Sequence, residues 1–295
     1  MKKILISAVL ASAFLSLQGA EGNIFQAKLS VEKNENAVFN QDGFFYLPAS
    51  HVQKSDGIQI EAEQFHKLDY HKSEARMQVE KDCASILNVR AMEFHFEVVK
   101  PGKYRAWYRG NYPTLYPYNH RERIDDGKIT ELIPDSENLP INVWRWNSGP
   151  VYQLEKGKHV WQFPSPTAWC GGAKLDKLLL LPENETIDAG AGPDAGANRE
   201  TEVSIPERGE IVMRKIKTKQ IQKWVINADT QLNGGKFTAE YRYDGEQQFK
   251  PLKIGEWQMV PEEVRYLYFS FQLEKAKDAT VSPFVYNIAL SVQEK

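Results

Sequence analysis

Ile60-Glu61-Ala62-Glu63 places two carboxylates a strand period apart, so they share one face of an extended chain. A third, Asp176, interrupts the apolar run Leu175-Asp176-Lys177-Leu178-Leu179-Leu180-Leu181. Neighbouring like charges repel, and a carboxylate set among leucines must be paired or bound to metal. One solution is a hard cation. Ca²⁺ takes about six to eight oxygens and would satisfy Glu61, Glu63 and Asp176 together, with backbone carbonyls completing the shell. The other solution is a solvated strand edge with ion pairs to Lys177 or Lys174. No contiguous calcium loop is present.

A second group of residues suits a flat ligand. Trp144 and Trp146 fall on one face of a short strand, flanked by Arg145 and Asn147. Tyr112, Tyr116 and Tyr118 sit in the proline-broken stretch NYPTLYPYNHRER, and Trp169 precedes Cys170. Sugar rings stack their C–H faces on such side chains, while Arg, Asn and Lys174 can bond hydroxyls or acidic groups. Trp107 and Trp161 stand in mid-strand and read as core. Catalytic signatures are missing: there is no GxSxG, HExxH, CxxC or phosphate-cradling loop. His51, His66, His71, His95, His120 and His159 are scattered, and Glu93-His95-Glu97 reads as the solvated face of a strand.

The elements that must position these residues are strands. Met92, Phe94, Phe96 and Val98 alternate with Glu93, His95 and Glu97, and Pro101-Gly102 turns into Tyr104–Tyr108. Leu175–Leu181 is apolar on both faces, as a central strand must be. Residues 183–202, PENETIDAGAGPDAGANRET, hold Ile187 as their one large apolar residue and read as a flexible linker. Alternation resumes in Phe237–Tyr243, Leu267–Leu273 and Phe284, Tyr286, Ile288, Leu290 and Val292. The pattern predicts an all-β chain. Residues 58–182 form an antiparallel jelly-roll sandwich, and residues 203–295 form a second, smaller sandwich that folds separately. Residues 21–57 read as an extended lead-in.

IEAEQF at 60–65, PGKYRAWYRG at 101–110, LEKGKH at 154–159 and GGAKLDKLLLL at 171–181 occur in that order. This succession resembles the landmarks of family 6 and 35 carbohydrate-binding modules, the galactose-binding-like jelly rolls, over roughly residues 58–182. The resemblance implies a structural calcium on Glu61, Glu63 and Asp176. The family often carries an asparagine two residues before the last-strand aspartate; this chain has Lys174, which turns the expectation towards an acidic sugar.

Met1–Ala20 has two lysines, an apolar core from Ile4 to about Leu17, then Gly19 and Ala20, the order of a secretory signal peptide. The expectation is a secreted, periplasmic or cell-surface protein without a membrane span after cleavage. Cys83 and Cys170 are then either a disulfide or two buried thiols. With 37 Lys and Arg against 39 Asp and Glu, the net charge of −2 lacks the footprint of a nucleic-acid binder. The leading expectation is a non-catalytic protein that grips a polysaccharide. The competing ones are a β-jelly-roll lyase or glycosidase using His95, His120, Tyr or Glu as acid and base, and a surface protein without a ligand.

Overall fold

The computed structural model describes residues 23–40, 43–70, 78–80, 83–85, 89–111, 120–132, 142–164, 174–195 and 199–295. The chain is all-β, with no helix among these residues. The first strands are β1 (Ile24–Ala27), β2 (Val31–Glu35), β3 (Val38–Phe39), β4 (Phe45–Tyr46), β5 (Ser50–Gln53), β6 (Ile58–Glu61), β7 (Lys67–Tyr70), β8 (Gln78–Glu80) and β9 (Cys83–Ser85). Then follow β10 (Val89–Val98), β11 (Gly102–Asn111), β12 (His120–Ile124), β13 (Thr130–Leu132), β14 (Trp144–Leu154), β15 (Gly157–Pro164), β16 (Lys174–Pro182) and β17 (Thr201–Ser204). The last are β18 (Arg208–Met213), β19 (Ile216–Lys217), β20 (Ile221–Gln231), β21 (Lys236–Tyr243), β22 (Lys250–Pro251), β23 (Gln258–Met259), β24 (Tyr266–Glu274) and β25 (Phe284–Glu294).

They form two sandwiches. The first packs a sheet in the order β13-β12-β15-β10-β5-β17, with β7 on β10, against one in the order β14-β11-β16-β9-β8, with β6 on β16. Pairing is antiparallel except between β5 and β10. Met92, Phe94, Phe96 and Val98 point into this sandwich, as their alternation requires, with Trp161 beside Phe94 in the same sheet and Tyr104, Tyr108, Leu175, Leu178 and Leu180 facing them from the other. β16 is central and buried on both faces: Leu179 and Leu181 join Trp107 and Trp146 on the outer side.

The second sandwich packs β23-β20-β25-β4-β3, with β1 on β25, against β2-β18-β24-β21-β22, with β19 on β24. Residues 24–46 therefore differ from an open lead-in. They supply β1 to β4, and β5 and β17 pair with each other in the first sandwich.

β25 also departs from simple alternation. Asn227 and Asp229, two apart on β20, face Ala289 and Tyr286, three apart on β25, so β25 carries one extra residue. Asn287 takes it up at φ 56°, a left-handed conformation that Asn tolerates, and its Nδ2 donates to Asp229 Oδ2 at 2.7 Å. The bulge moves the strand's inward set. Val285, Ile288, Leu290 and Val292 enter the second core, whereas Phe284 and Tyr286 join the first. Phe284 packs at 5.8 Å from Phe44 and 5.5 Å from Phe65, and Tyr46 meets Phe65 at 5.0 Å. Beside this junction Gly43 (φ +77°) lies so close to Ile288 that a Cβ would stand 2.4 Å from its carbonyl oxygen.

The expected linker is likewise docked where it is described. Ile187, Ala191 and Ala195 cover Trp107, Trp146, Leu179 and Leu181. Trp146 N–H donates to Ala189 O (3.0 Å), its Nε1 to Gly192 O (3.1 Å), and Lys177 Nζ to Pro193 O (3.1 Å). Small residues let the backbone itself approach the sheet, so the strap is held by its carbonyls.

Candidate functional site

At one end of the first sandwich β16, β11 and β14 line up Lys174, Asn111 and Trp144 in one cross-strand row. Opposed residues share a face, so these three side chains neighbour one another on the outer side of the sheet. Residues 112–119 leave the chain directly after Asn111, 133–141 precede β14, and 165–173 lead into Lys174. Three connections thus attach at this single end. Tyr112, Tyr116, Tyr118, Trp169 and Cys170 belong to them and lie outside the described residues, as does the side chain of Cys83.

The next row is built on an ion pair. Arg109 and Gly110 are consecutive on β11 but face Lys177 and Leu175, so Asp176 is the extra residue of a bulge on β16. The bulge turns Asp176 away from the leucine core and onto Arg109, whose Nη1 donates to Asp176 Oδ2 at 2.5 Å. Both side chains are nearly buried, at 12% and 8% exposure, so each depends on the other. The same guanidinium lies 4.9 Å from the ring centre of Trp144, and so props the half-buried indole from one side.

Two of the three carboxylates are ion-paired in this structure. Lys177, 7% exposed, donates from Nζ to Glu61 Oε1 at 3.2 Å, and Gln59 Nε2 donates to the same oxygen at 3.0 Å. Glu63 is buried past the end of β6. Among the described residues no three His, Cys, Asp or Glu side chains are grouped to hold a metal. Lysine and arginine thus supply positive charge at two of the three carboxylates on which the calcium expectation rests, Glu61 and Asp176, while Glu63 is buried. Chelation by EDTA is expected to leave the melting temperature of the full chain unchanged; a clear drop, reversed by Ca²⁺, would overturn this reading.

The aromatic set is divided. Trp144 and Trp146 share a face, but Trp146 is 2% exposed beneath the strap at 189–192 and is a core residue. Arg145 and Asn147 alternate to the opposite face, where Arg145 acts on the buried phenol of Tyr108. Trp107 and Trp161 are buried, as expected of mid-strand tryptophans.

Beneath the row, inside the sandwich, lies an acid that sequence reasoning passed over. Glu122 stands on β12 and has no exposed surface. Its Oε2 accepts from Trp161 Nε1 at 2.9 Å, and Tyr152 faces the same carboxyl. Burial pushes its pKa from 4.5 up to about 7 and raises the phenols of Tyr108 and Tyr152. Gly149 makes the room, because a Cβ there would come within 2.8 Å of Glu122 Oε1. The available signal was the alternation His120, Glu122, Ile124 at the end of what looked like a loop. The enclosed carboxyl lies between Trp161 of one sheet and Tyr152 of the other.

The polar row on β10 is also structural. Glu93 pairs with Lys67 (3.3 Å) and accepts from Gln162 Nε2 (3.3 Å). His95 stacks on His66 at 3.5 Å and 9°, and both imidazoles are lowered mainly by burial. Buried His51, lowered to about 4 by desolvation, bonds His95 O and Gln64 Oε1.

No family model matches the chain, and no curated protein matches it. Among solved structures it is similar to the GH26-CBM35 β-(1,4)-mannanase of Podospora anserina, at 11% identity and a TM-score of 0.35, over 48% of this chain and 30% of that one. It is similar to a cycloisomaltooligosaccharide glucanotransferase of a Paenibacillus species at 10% identity and 0.32, over 80% and 46%. A Paenibacillus xanthan lyase follows at 11% and 0.29, over 80% and 26%. The chain spans less than half the length of each. At these identities and TM-scores the similarity says nothing about what this chain binds.

Proposed function

We propose that this is an exported, non-catalytic protein that binds a polysaccharide at the loop-bearing end of its first sandwich. The observation that carries the reading is the row Trp144, Asn111 and Lys174, with Arg109 bracing the indole from below. The ring stacks on a pyranose, the amide bonds hydroxyls, and the ammonium favours an acidic group. The succession of sequence motifs that resembles carbohydrate-binding modules agrees with it. Glu61, Glu93 and Asp176 are taken up in ion pairs, His66 and His95 in a stack, and Glu122 and His51 in core bonds, which favours binding over catalysis.

Calorimetry and affinity electrophoresis on neutral and acidic polysaccharides test it. Affinity in the micromolar to millimolar range is expected, and Trp144→Ala should weaken it about tenfold or more. Lys174→Gln should weaken acidic ligands selectively, and Trp257→Ala, on the second sandwich, should change nothing. If Trp144→Ala binds as the parent does, the site lies elsewhere. If no glycan binds at all, the reading falls.

A further inference from the structure

The second sandwich carries an exposed band of cations and tyrosines, remote in the chain from the row around Trp144. On the outer face of the β24 sheet, Tyr266 and Tyr268 alternate with the buried Leu267 and Phe269 and so stand on one side of the strand. Arg242 is the cross-strand partner of Tyr268, and its guanidinium lies 4.2 Å from that ring and 5.3 Å from Phe249. Lys217 is the partner of Tyr266, and Lys215 Nζ sits 4.5 Å over the Tyr266 ring. Around them the run Arg214-Lys215-Ile216-Lys217-Thr218-Lys219 and Arg265 expose every cation, while Ile216 and Thr218 turn inward.

None of these six cations has a carboxylate within salt-bridge distance among the described residues. Two acids of the same end are already committed. Asp244 accepts from the backbone of Arg265 and Tyr266, and Glu246 is held by Lys250 and by Tyr243 N–H. Stacking on tyrosine fixes Arg242 and Lys215 in place; Arg242 also donates from Nη1 to Glu246 O at 3.0 Å and lies in the field of the Glu246 carboxylate, whereas Lys215 has no ion pair among the described residues.

We propose that this face binds the carboxylate or sulfate groups of an acidic polysaccharide. The cations are spread along a strip and not gathered in a pocket, which suits a linear polyanion. Membrane insertion is disfavoured, because the exposed large apolar residues Ile24, Phe25, Val99, Ile129, Val143, Trp257 and Met259 all lie on other strands and loops.

The test uses the full chain in affinity gels containing polygalacturonate, dextran sulfate or neutral dextran. Duplex oligonucleotide and phosphatidylserine vesicles serve as competitors. Retardation by polygalacturonate or dextran sulfate, whichever the strip prefers, is expected, with none by dextran attributable to this face. Arg242→Gln with Lys215→Gln should reduce it about tenfold, the milder Lys215→Gln with Lys217→Gln should reduce it severalfold, and salt should weaken it. Trp144→Ala should leave this component in place, so failure here and failure at the loop-bearing end are separable. The proposal is overturned if neither polyanion is retained, if both double variants bind as the parent does, or if duplex or vesicles bind more tightly than the polysaccharides.

Discussion

Phe284→Ala is expected to destabilise the whole chain by about 3–5 kcal/mol, and to do so in both sandwiches together. Phe284 is 1% exposed and fills the junction with Phe44, Tyr46 and Phe65. Its neighbour Val285 lies in the other core. Removing the ring opens a cavity in the first core and loosens the strand that serves the second. Thermal unfolding followed at two probes, one in each sandwich, should show a single transition that moves as a unit. Phe284→Leu, which keeps most of the volume, should lose less than half as much. Two separate transitions, with the variant shifting one alone, would mean that the sandwiches are independent.

Glu122 gives the second large effect, and its sign follows from the direction of its pKa. A carboxyl raised from 4.5 to about 7 in the folded state holds its proton where the unfolded chain has lost it. Its contribution is fully present below about pH 4.5 and is lost as pH rises through about 7. The gap corresponds to about 3 kcal/mol. Glu122→Gln cannot ionise, and its amide oxygen still accepts from Trp161. It should match the parent near pH 4.5 and exceed it by about 3 kcal/mol at about pH 8.5 in urea denaturation. His51, lowered to about 4, acts in the opposite sense, losing stability as pH falls. The difference between variant and parent at each pH is therefore the quantity to measure. A constant difference would show that Glu122 does not titrate between those limits.

Much of the fold could be read from side-chain alternation. The faces of β10 and the two-sided burial of β16 follow directly from their apolar periods. What escaped were the places where one residue breaks the period. Asp176 read as a carboxylate among leucines that must be paired or bound to metal, with Lys177 or Lys174 as the candidate partners; a single bulge sends it to Arg109. Asn287 likewise redirects Phe284 and Tyr286 to a different core. Backbone contacts escaped for a related reason. The strap over Trp146 is held by the carbonyls of Ala189, Gly192 and Pro193, and any residue has a carbonyl. Glycine and alanine there look like slack, although their smallness is what permits the approach. At the candidate site, Trp144 and Lys174 were legible as residue types. Asn111 and Arg109 became visible only through register.

The pairing of Ile24 with Gln293 and of Phe45 with Val285 sets a kinetic problem for this chain. The entire first sandwich lies between these partners in sequence. Closing so long a loop adds only a logarithmic entropy cost, so the finished structure suffers little. The rate suffers more, because until β25 is at hand β1 has no strand partner among the described residues and β4 has only the two-residue β3. Phe44 and Tyr46 wait with them, so the first core also lacks its junction ring during that interval. Until then the short N-terminal strands keep unpaired edges, the condition under which chains capture one another. Refolding should therefore have a slow, concentration-sensitive final step, set by the arrival of β25.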